Sequence, residues 1–571
     1  YVNSPEYRLF NGRSSQPRHI GKIILTCPTA MSHSEQHALH DALRDALDVL
    51  GKFNHGKDET YVPAGVKIVP ADRRPGSDDA PGWIYDEATC SQFVYLYGQF
   101  SEKYAGCSRE FFKTYGRLRP TPKGERDSLV VGSLDIGAGT SDIMICRYEY
   151  DAANPTRLKP VPLFWDSFDY AGDDMMKVLI ENILLQGENG ILEREMARRG
   201  LEREEIYARL YQLFGTDHNR LSFHDRMTRR DINLQVLVPV MSHFLGLLSR
   251  HERYREVPFE EIFAKNPPSA PILDSFREHF GFGLEEVRWT YDSEIMARNI
   301  ELTMNDLLES VATIMHAYGC DLVLLSGRPS SLSPIRRIFL KYFAGEPHRL
   351  IALNEFRIGR WYPFADRNGY LTNSKSVVPV GAMIGYRASS TGGLGNFSLD
   401  LTELAMRLKP TTDFFVVRDR SVLTGRPFIT PQSNTGKIPV NAFPVYIGTK
   451  QFDLSNYPVR PFYVLDLNRD ALTAALRKKH AAEGHDLNER ETQLLTDDAV
   501  DRLLQRGPFT FTLEREAPGE DKEQLVVASV ADALGEEAEA RFFSLTVQSL
   551  NDPDCYWLDS GEFNINIAAS H

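Results

Sequence analysis

Cysteine is sparse and badly spaced for metal chemistry. Six occur in 571 residues, and the closest pair, Cys90 and Cys107, lies 17 positions apart. The lack of any C-x-x-C pair excludes a zinc ribbon or a thioredoxin-type redox motif, and the scatter reads as buried free thiols in a reducing compartment. Long apolar runs are missing too; no stretch of about 18 apolar residues appears, so no membrane span is expected. Positive charge is not in excess. Lys and Arg number 65 against 78 Asp and Glu, a net charge of −13, and an acidic chain has no general attraction for nucleic-acid backbones. Internal repeats and low-complexity tracts are lacking, and hydrophobic residues at 42% provide for several cores. The chain opens on Tyr1 with neither an initiator Met nor a signal-peptide pattern, and reads as a fragment. A cytoplasmic setting is expected, although the missing start leaves secretion open.

What is present is an alternation of buried-strand and helix patterns. Residues 22–27 form a short apolar run before Pro28, and Ser32 with Glu35 makes a capping box that opens a helix to about Leu50. His33, His37 and His40 share one face of that helix; without a carboxylate or thiol partner they read as a solvated face, not as metal ligands. Gly51–Pro81 reads as a loop with a strand at Val66–Val69, and Glu87–Phe100 as a helix. Two β-like runs, Leu129–Asp135 and Asp142–Tyr148, follow around a glycine-containing turn. Ser293–Tyr318 is the clearest helix, with Ile300, Met304, Leu307, Val311, Ile314 and Tyr318 stepping by 4 and 3 toward Gly319 at the C-cap. Beyond about Ser390 short β-like runs take over, among them Phe414–Val417, Val440–Ile447 and Pro461–Leu467. Residues 501–571 hold five basic and fourteen acidic side chains, so most of the negative excess gathers there.

The chemistry concentrates in Asp135-Ile-Gly137-Ala-Gly139-Thr140-Ser-Asp142. Small residues let backbone N–H groups approach an anion, and Thr140 adds a hydroxyl donor. The flanking carboxylates would repel a bare phosphate, so they make chemical sense holding Mg²⁺ through water or orienting an attacking water. The plain alternative is a tight hairpin with no ligand.

This motif resembles the second phosphate-binding hairpin of the actin, sugar-kinase and heat-shock-chaperone ATPase superfamily. Five neighbours resemble further elements of that superfamily in the same order. They are Ile23–Met31, Asp86–Gly98, Ala171-Gly172-Asp173-Asp174, Leu322–Ser330 and Val378-Pro-Val-Gly381-Ala382. More narrowly, the chain resembles the bacterial virulence-factor SrfB family. The first phosphate hairpin of the superfamily is absent before Ile23. Arg328 and Pro329 stand where chaperones have small residues, and Arg226–Arg230 and Glu294–Arg298 read as charged helix faces.

The resemblance implies an α/β, two-lobed, actin-like (ribonuclease H-like) ATPase fold, incomplete at its N-terminus, with a β-rich C-terminal module. The expected divisions are 1–128 for the rest of the first lobe, 129–390 for the second with a helical insertion over about 188–290, and 391–571 for the module. It further implies ATP and Mg²⁺ as ligands. Glu87 would position the attacking water, and Asp135 and Asp142 would hold hydrated Mg²⁺. Gly137, Gly139 and Thr140 would bind the β- and γ-phosphates, Gly172 and Asp173 the phosphate–ribose region, and Gly327, Arg328 and Ser330 the adenosine, with Gly381 on the second connecting helix. The implied function is an ATP-hydrolysing conformational switch that acts on protein partners. The alternative is an inactive scaffold that keeps the fold for protein–protein contact.

Overall fold

The computed structural model describes residues 20–53, 65–71, 83–121, 124–216, 221–343, 345–371, 373–390, 393–408, 411–418, 427–454, 457–483, 487–517, 521–547 and 556–566. Residues 1–19, most of the Gly51–Pro81 loop, Cys555 and part of the acidic stretch near Glu520 fall outside them.

Strand β1 (Lys22–Ile24) pairs in parallel with β2 (Lys67–Val69), and helix α1 (His33–Phe53) and helix α2 (Glu87–Tyr97) follow β1 and β2 in turn. The 22–27 run is thus a strand only in its first half; beyond it the Leu25 amide still donates to the Val69 carbonyl and Cys27 bridges to Asp86. Strand β3 (Arg117–Thr121) folds onto the long β4 (Gly124–Ile136), which pairs antiparallel with β5 (Ser141–Glu149), and β5 with β6 (Pro160–Phe168). On the other side β7 (Leu322–Ser326) and then β8 (Leu350–Ala352) add in parallel. The order across this sheet is β8-β7-β4-β5-β6.

Side-chain alternation along β4 divides the body into two cores. Val130, Leu134 and Ile136 face one, with the helix Ser293–Ala317; Leu129 and Val131 face the other, against Phe93 and Leu96 of α2. In Ser293–Ala317 the buried positions run Met304, Leu307, Val311 and Met315, whereas Ile314 is half-buried and Tyr318 stands exposed past the helix end. A 3.6-residue helix drifts off a strict 4, 3 repeat, which moves the last contact from Ile314 to Met315. Gly319 takes a φ of +63°, as its place after the helix requires.

The insertion is helical, as its charged, helix-prone sequence predicts. One stretch of it, Phe223–Ser249, is by length and composition apolar enough to cross a membrane, although polar residues interrupt it. Its Ile232, Val236, Val240, Met241, Phe244 and Leu247 are wholly buried in the first core, so packing accounts for its hydrophobicity.

The C-terminal region differs from its expected outline at both ends. Ser398–Leu399 pairs with Arg157–Leu158, so residues 393–408 pack with the body. The module itself contains a five-stranded and a four-stranded antiparallel sheet and two helices, Arg469–Ala482 and Glu489–Leu504, around a third core. Val440–Ile447 is two strands in different sheets, Thr435–Val440 and Val445–Lys450. The polar Asn441 and the donor-less Pro444 break the run. Residues 556–566 then return to the body, where Trp557, Phe563 and Ile565 are buried.

The module is docked. Phe452 stacks on Phe164 of β6 at 5.8 Å, and Asp166 of β6 accepts hydrogen bonds from Thr411 at 2.7 Å and from Tyr457. Arg460, almost fully buried, donates to the Ala30 carbonyl and pairs with Glu35 at the start of α1.

Candidate functional site

The carboxyl ends of β4 and β7 lie side by side, with Asp135 opposite Ser326. A crevice at such ends is where open α/β sheets take ligands. Here a cavity of about 490 Å³ opens, lined from several directions. The hairpin contributes Asp135, Gly137 and Ala138; the start of α2 contributes Glu87; and the helix Gly172–Leu179 contributes Gly172, Asp173, Met175 and Met176. The turn after β7 adds Gly327, Arg328 and Ser331.

The carboxylates are held in place by hydrogen bonds to hydroxyls and amides. Asp135 is buried and accepts from the Ser326 hydroxyl at 2.5 Å. Asp86 caps α2, accepting from the Thr89 amide at 2.9 Å and the Thr29 hydroxyl at 2.8 Å. Asp142 faces Asp135 across the hairpin and accepts from the Thr29 amide at 2.5 Å and the Thr140 hydroxyl at 2.9 Å. One residue, Thr29, thereby ties the loop after β1 to both α2 and the hairpin.

Burial sets the electrostatics. It pushes Asp135 up to about 7, with repulsion from Asp142 adding to it. Glu87 is pushed up to about 9, by burial first and then by Asp142, Asp135 and Asp86. Asp86 rises to about 6, again chiefly through burial, and Asp142 is raised for the same reason. These folded-state values exceed the ordinary carboxylate range of about 4, so the native protein holds protons that the unfolded chain has released. The stability this cluster contributes is therefore full below about pH 4 and is lost as pH rises through the folded values. Thermal melts of metal-free protein from about pH 5 to pH 8 are expected to show that fall, and Asp135→Asn to flatten it; an equal slope in the variant would locate the effect elsewhere.

Not every predicted residue reaches the cavity. Glu87, Asp135, Gly137, Gly172, Asp173, Gly327 and Arg328 line it; Gly139, Thr140, Asp142, Ser330 and Gly381 do not. Asp142 is wholly buried behind the wall, with both oxygens engaged by Thr29 and Thr140. Thr140 is thus a clasp within the hairpin, and Gly139 is exposed at its tip. The Ser330 hydroxyl is buried and donates to the Gly327 carbonyl at 2.7 Å, which turns its neighbour Ser331 toward the cavity. Gly381 is a packing residue: a Cβ there would stand 2.0 Å from the Cys90 carbonyl oxygen in α2. The amides of Gly172 and Asp173 donate to the carbonyls of Gly137 and Ala138, at 3.1 and 2.8 Å, and brace the hairpin.

Several lining residues escaped the sequence reading. Ser242, Gly246 and Ser249 come from the helix Val238–Ser249, and Lys375 from the turn before Val377–Ser389. A signal existed for the first group, since three small residues spaced by 4 and 3 interrupt a largely apolar helix. Arg328 and Lys375 are exposed cations, and neither forms an ion pair among the described residues. Elsewhere, Arg229 of the supposed charged face 226–230 is wholly buried, donating to the carbonyls of Ser560 and Gly215. His40 is likewise buried, edge-to-face with Trp83 at 5.4 Å, which corrects the solvated reading of that helix face. Among the described residues no three His, Cys, Asp or Glu side chains stand close enough to enclose a metal ion.

Residues 1–564 match the family model described as virulence factor SrfB. No curated protein matches the chain.

Proposed function

The chain belongs to the SrfB virulence-factor family, and from that premise we propose that it works as a nucleotide switch of the two-lobed actin and heat-shock-chaperone kind. Mg·ATP binds in the cavity at the ends of β4 and β7 and is hydrolysed there, and the change of occupancy alters how the docked module presents itself to protein partners. A single observation carries this reading: the cavity combines buried, raised carboxylates with exposed cations that form no ion pair among the described residues. A cation would relieve the mutual repulsion that raises Glu87 and Asp135 on its wall, while Arg328 and Lys375 favour an anion. A magnesium–phosphate pair satisfies both.

Asp135 would hold the hydrated cation, and Asp142 would act behind it by fixing the hairpin through Thr29 and Thr140. When bound, Mg²⁺ supplies charge neutralisation for the phosphates. Glu87 would accept a proton from the attacking water at its carboxylate, and a cation nearby would lower its raised pKa toward the range where it can do so. Met175, Met176 and the Ser242–Gly246 face would enclose the less polar part of the nucleotide.

The scaffold alternative has one observation in its favour. Burial and the neighbouring carboxylates push Glu87 up to about 9 and so favour its neutral form, which cannot act as a base. Calorimetric titration of the whole chain separates the two. Saturable Mg²⁺-dependent heat with ATP is expected, weakened about tenfold or more by Asp135→Asn, or about 1.4 kcal/mol. No heat at about millimolar nucleotide, from protein with an intact melting transition, would leave the scaffold reading standing.

A further inference from the structure

The segment 556–566 lies across the helical insertion as a ligand would. Its apolar anchors Trp557, Phe563 and Ile565 are buried in the body. Its backbone is read by polar side chains of the insertion and its neighbouring helices. Asn233 donates to the carbonyls of Trp557 and Leu558, both at 3.1 Å, and Arg229 donates to that of Ser560 at 2.7 Å and pairs with Glu562 at 3.2 Å. Further along, the Asn564 amide donates to Glu181 at 2.8 Å. Gln186 donates to the Asn564 carbonyl at 2.6 Å and accepts from the Asn566 amide at 2.9 Å, as a pairing strand would. The Phe563 amide donates to the Phe214 carbonyl at 2.8 Å.

Two features set this apart from ordinary core packing. Arg229, Asn233 and Glu181 are buried polar groups whose main partners here belong to one short, sequence-distant segment. Without a backbone in that place, here a helical turn at Trp557–Ser560 followed by irregular chain, the Asn233 amide and the Glu181 carboxylate would lose these partners, at substantial cost. A cavity of about 250 Å³ also adjoins the segment, lined by Ile565 and Asn566 together with Asn182, Glu193, Arg203 and Tyr207. Hydrogen bonds to backbone with pockets for alternate side chains are a mode of peptide recognition.

We propose that the helical insertion carries a peptide-binding groove, filled in cis by residues 556–566, and that a peptide of the same pattern, one helical turn followed by irregular chain, displaces this segment in trans. The pattern is Trp557, an acidic residue at the Glu562 position, then Phe563 and Ile565. Tyr556 donates to the carboxylate of Asp173 on the wall of the main cavity, so displacement removes a contact at that site. This last link rests on the nucleotide reading; the groove itself does not.

The test uses the whole chain and a fluorescein-labelled synthetic peptide spanning residues 556–566. Asn564→Pro in the chain removes the amide that Glu181 accepts, while the Asn564 side chain is exposed, so the groove stays intact and its cis occupant is weakened. The peptide is expected to bind this variant at least tenfold more tightly than wild type, and a peptide with Phe563→Ala not to bind. Hydrogen exchange on wild type gives a second readout that needs no variant. The amides of Phe563, Asn564 and Asn566 are expected to exchange at least tenfold faster than the slowest amides of β4, by local opening. Exchange of these amides only at the β4 rate would overturn the proposal, as would a peptide that binds neither chain. Calorimetry with Mg·ATP, run on the same samples, reports separately on the nucleotide reading.

Discussion

Glu87→Gln is expected to lower ATP turnover by about 10²-fold or more while leaving nucleotide affinity nearly unchanged. Glu87 opens α2, behind the cap formed by Asp86, and its carboxyl reaches the cavity beside Asp135. Gln keeps the size and the hydrogen-bonding reach of the neutral acid, which is the form that burial and the neighbouring carboxylates favour at pH 7. The substitution therefore leaves the resting protein almost as it was. What it removes is the capacity to take a proton from water, which matters only in the transition state. Steady-state phosphate release, with binding followed by calorimetry, separates the two quantities. A variant that hydrolyses at the wild-type rate would remove Glu87 from the chemistry, and a wild type without turnover would remove the chemistry itself.

Gly327→Ala is expected to cost about 3 kcal/mol of stability or more, among the larger effects a single methyl group produces. Two independent constraints meet at this position. Its φ is +81°, which an L side chain rarely adopts, and a Cβ there would lie 2.0 Å from the Ile136 carbonyl oxygen. The clash is with backbone at the end of β4, so no rotamer change relieves it. Relief requires β4 and the turn after β7 to separate, and that opens the floor of the cavity as well. Denaturant unfolding of the variant gives the stability loss directly; a change below about 1 kcal/mol would mean that the two segments are further apart in solution.

Much of this site was legible in the order of residues. Asp135-Ile-Gly-Ala-Gly-Thr-Ser-Asp142 between two apolar runs forecasts a hairpin, and Asp135 and Asp142 do face each other across one. Ser293–Ala317 and its glycine cap were legible for the same reason, because a periodic apolar stripe and a φ > 0 terminus are local properties. Glu87 and Asp173 were expected at the site only through the resemblance of Asp86–Gly98 and Ala171–Asp174 to superfamily elements, and both line the cavity. Local pattern could not separate Ser330 from Ser331, since one 3₁₀ turn buries the first, bonded to the Gly327 carbonyl, and leaves the second, bonded to the Arg328 carbonyl, on the cavity wall.

The residues hardest to assign were those whose surroundings come from far along the chain. Arg229 looks like a solvated charge in its own helix, and only the arrival of Ser560 and Glu562 makes it a buried one. Arg460 looks like an ordinary strand-edge cation until Ala30 and Glu35 meet it, and Gly381 resembles a ligand contact until the Cys90 carbonyl is seen beneath it. The sequence by itself determined the elements: a strand, its turn and its amphipathic face follow from periodicity and glycine placement within some twenty residues. The tertiary structure alone decided burial and partnership, and therefore which carboxylates are raised, which cations stay exposed and which glycines are structural. Those quantities depend on desolvation and on charges a few ångströms away in space, and distance along the chain carries no information about either.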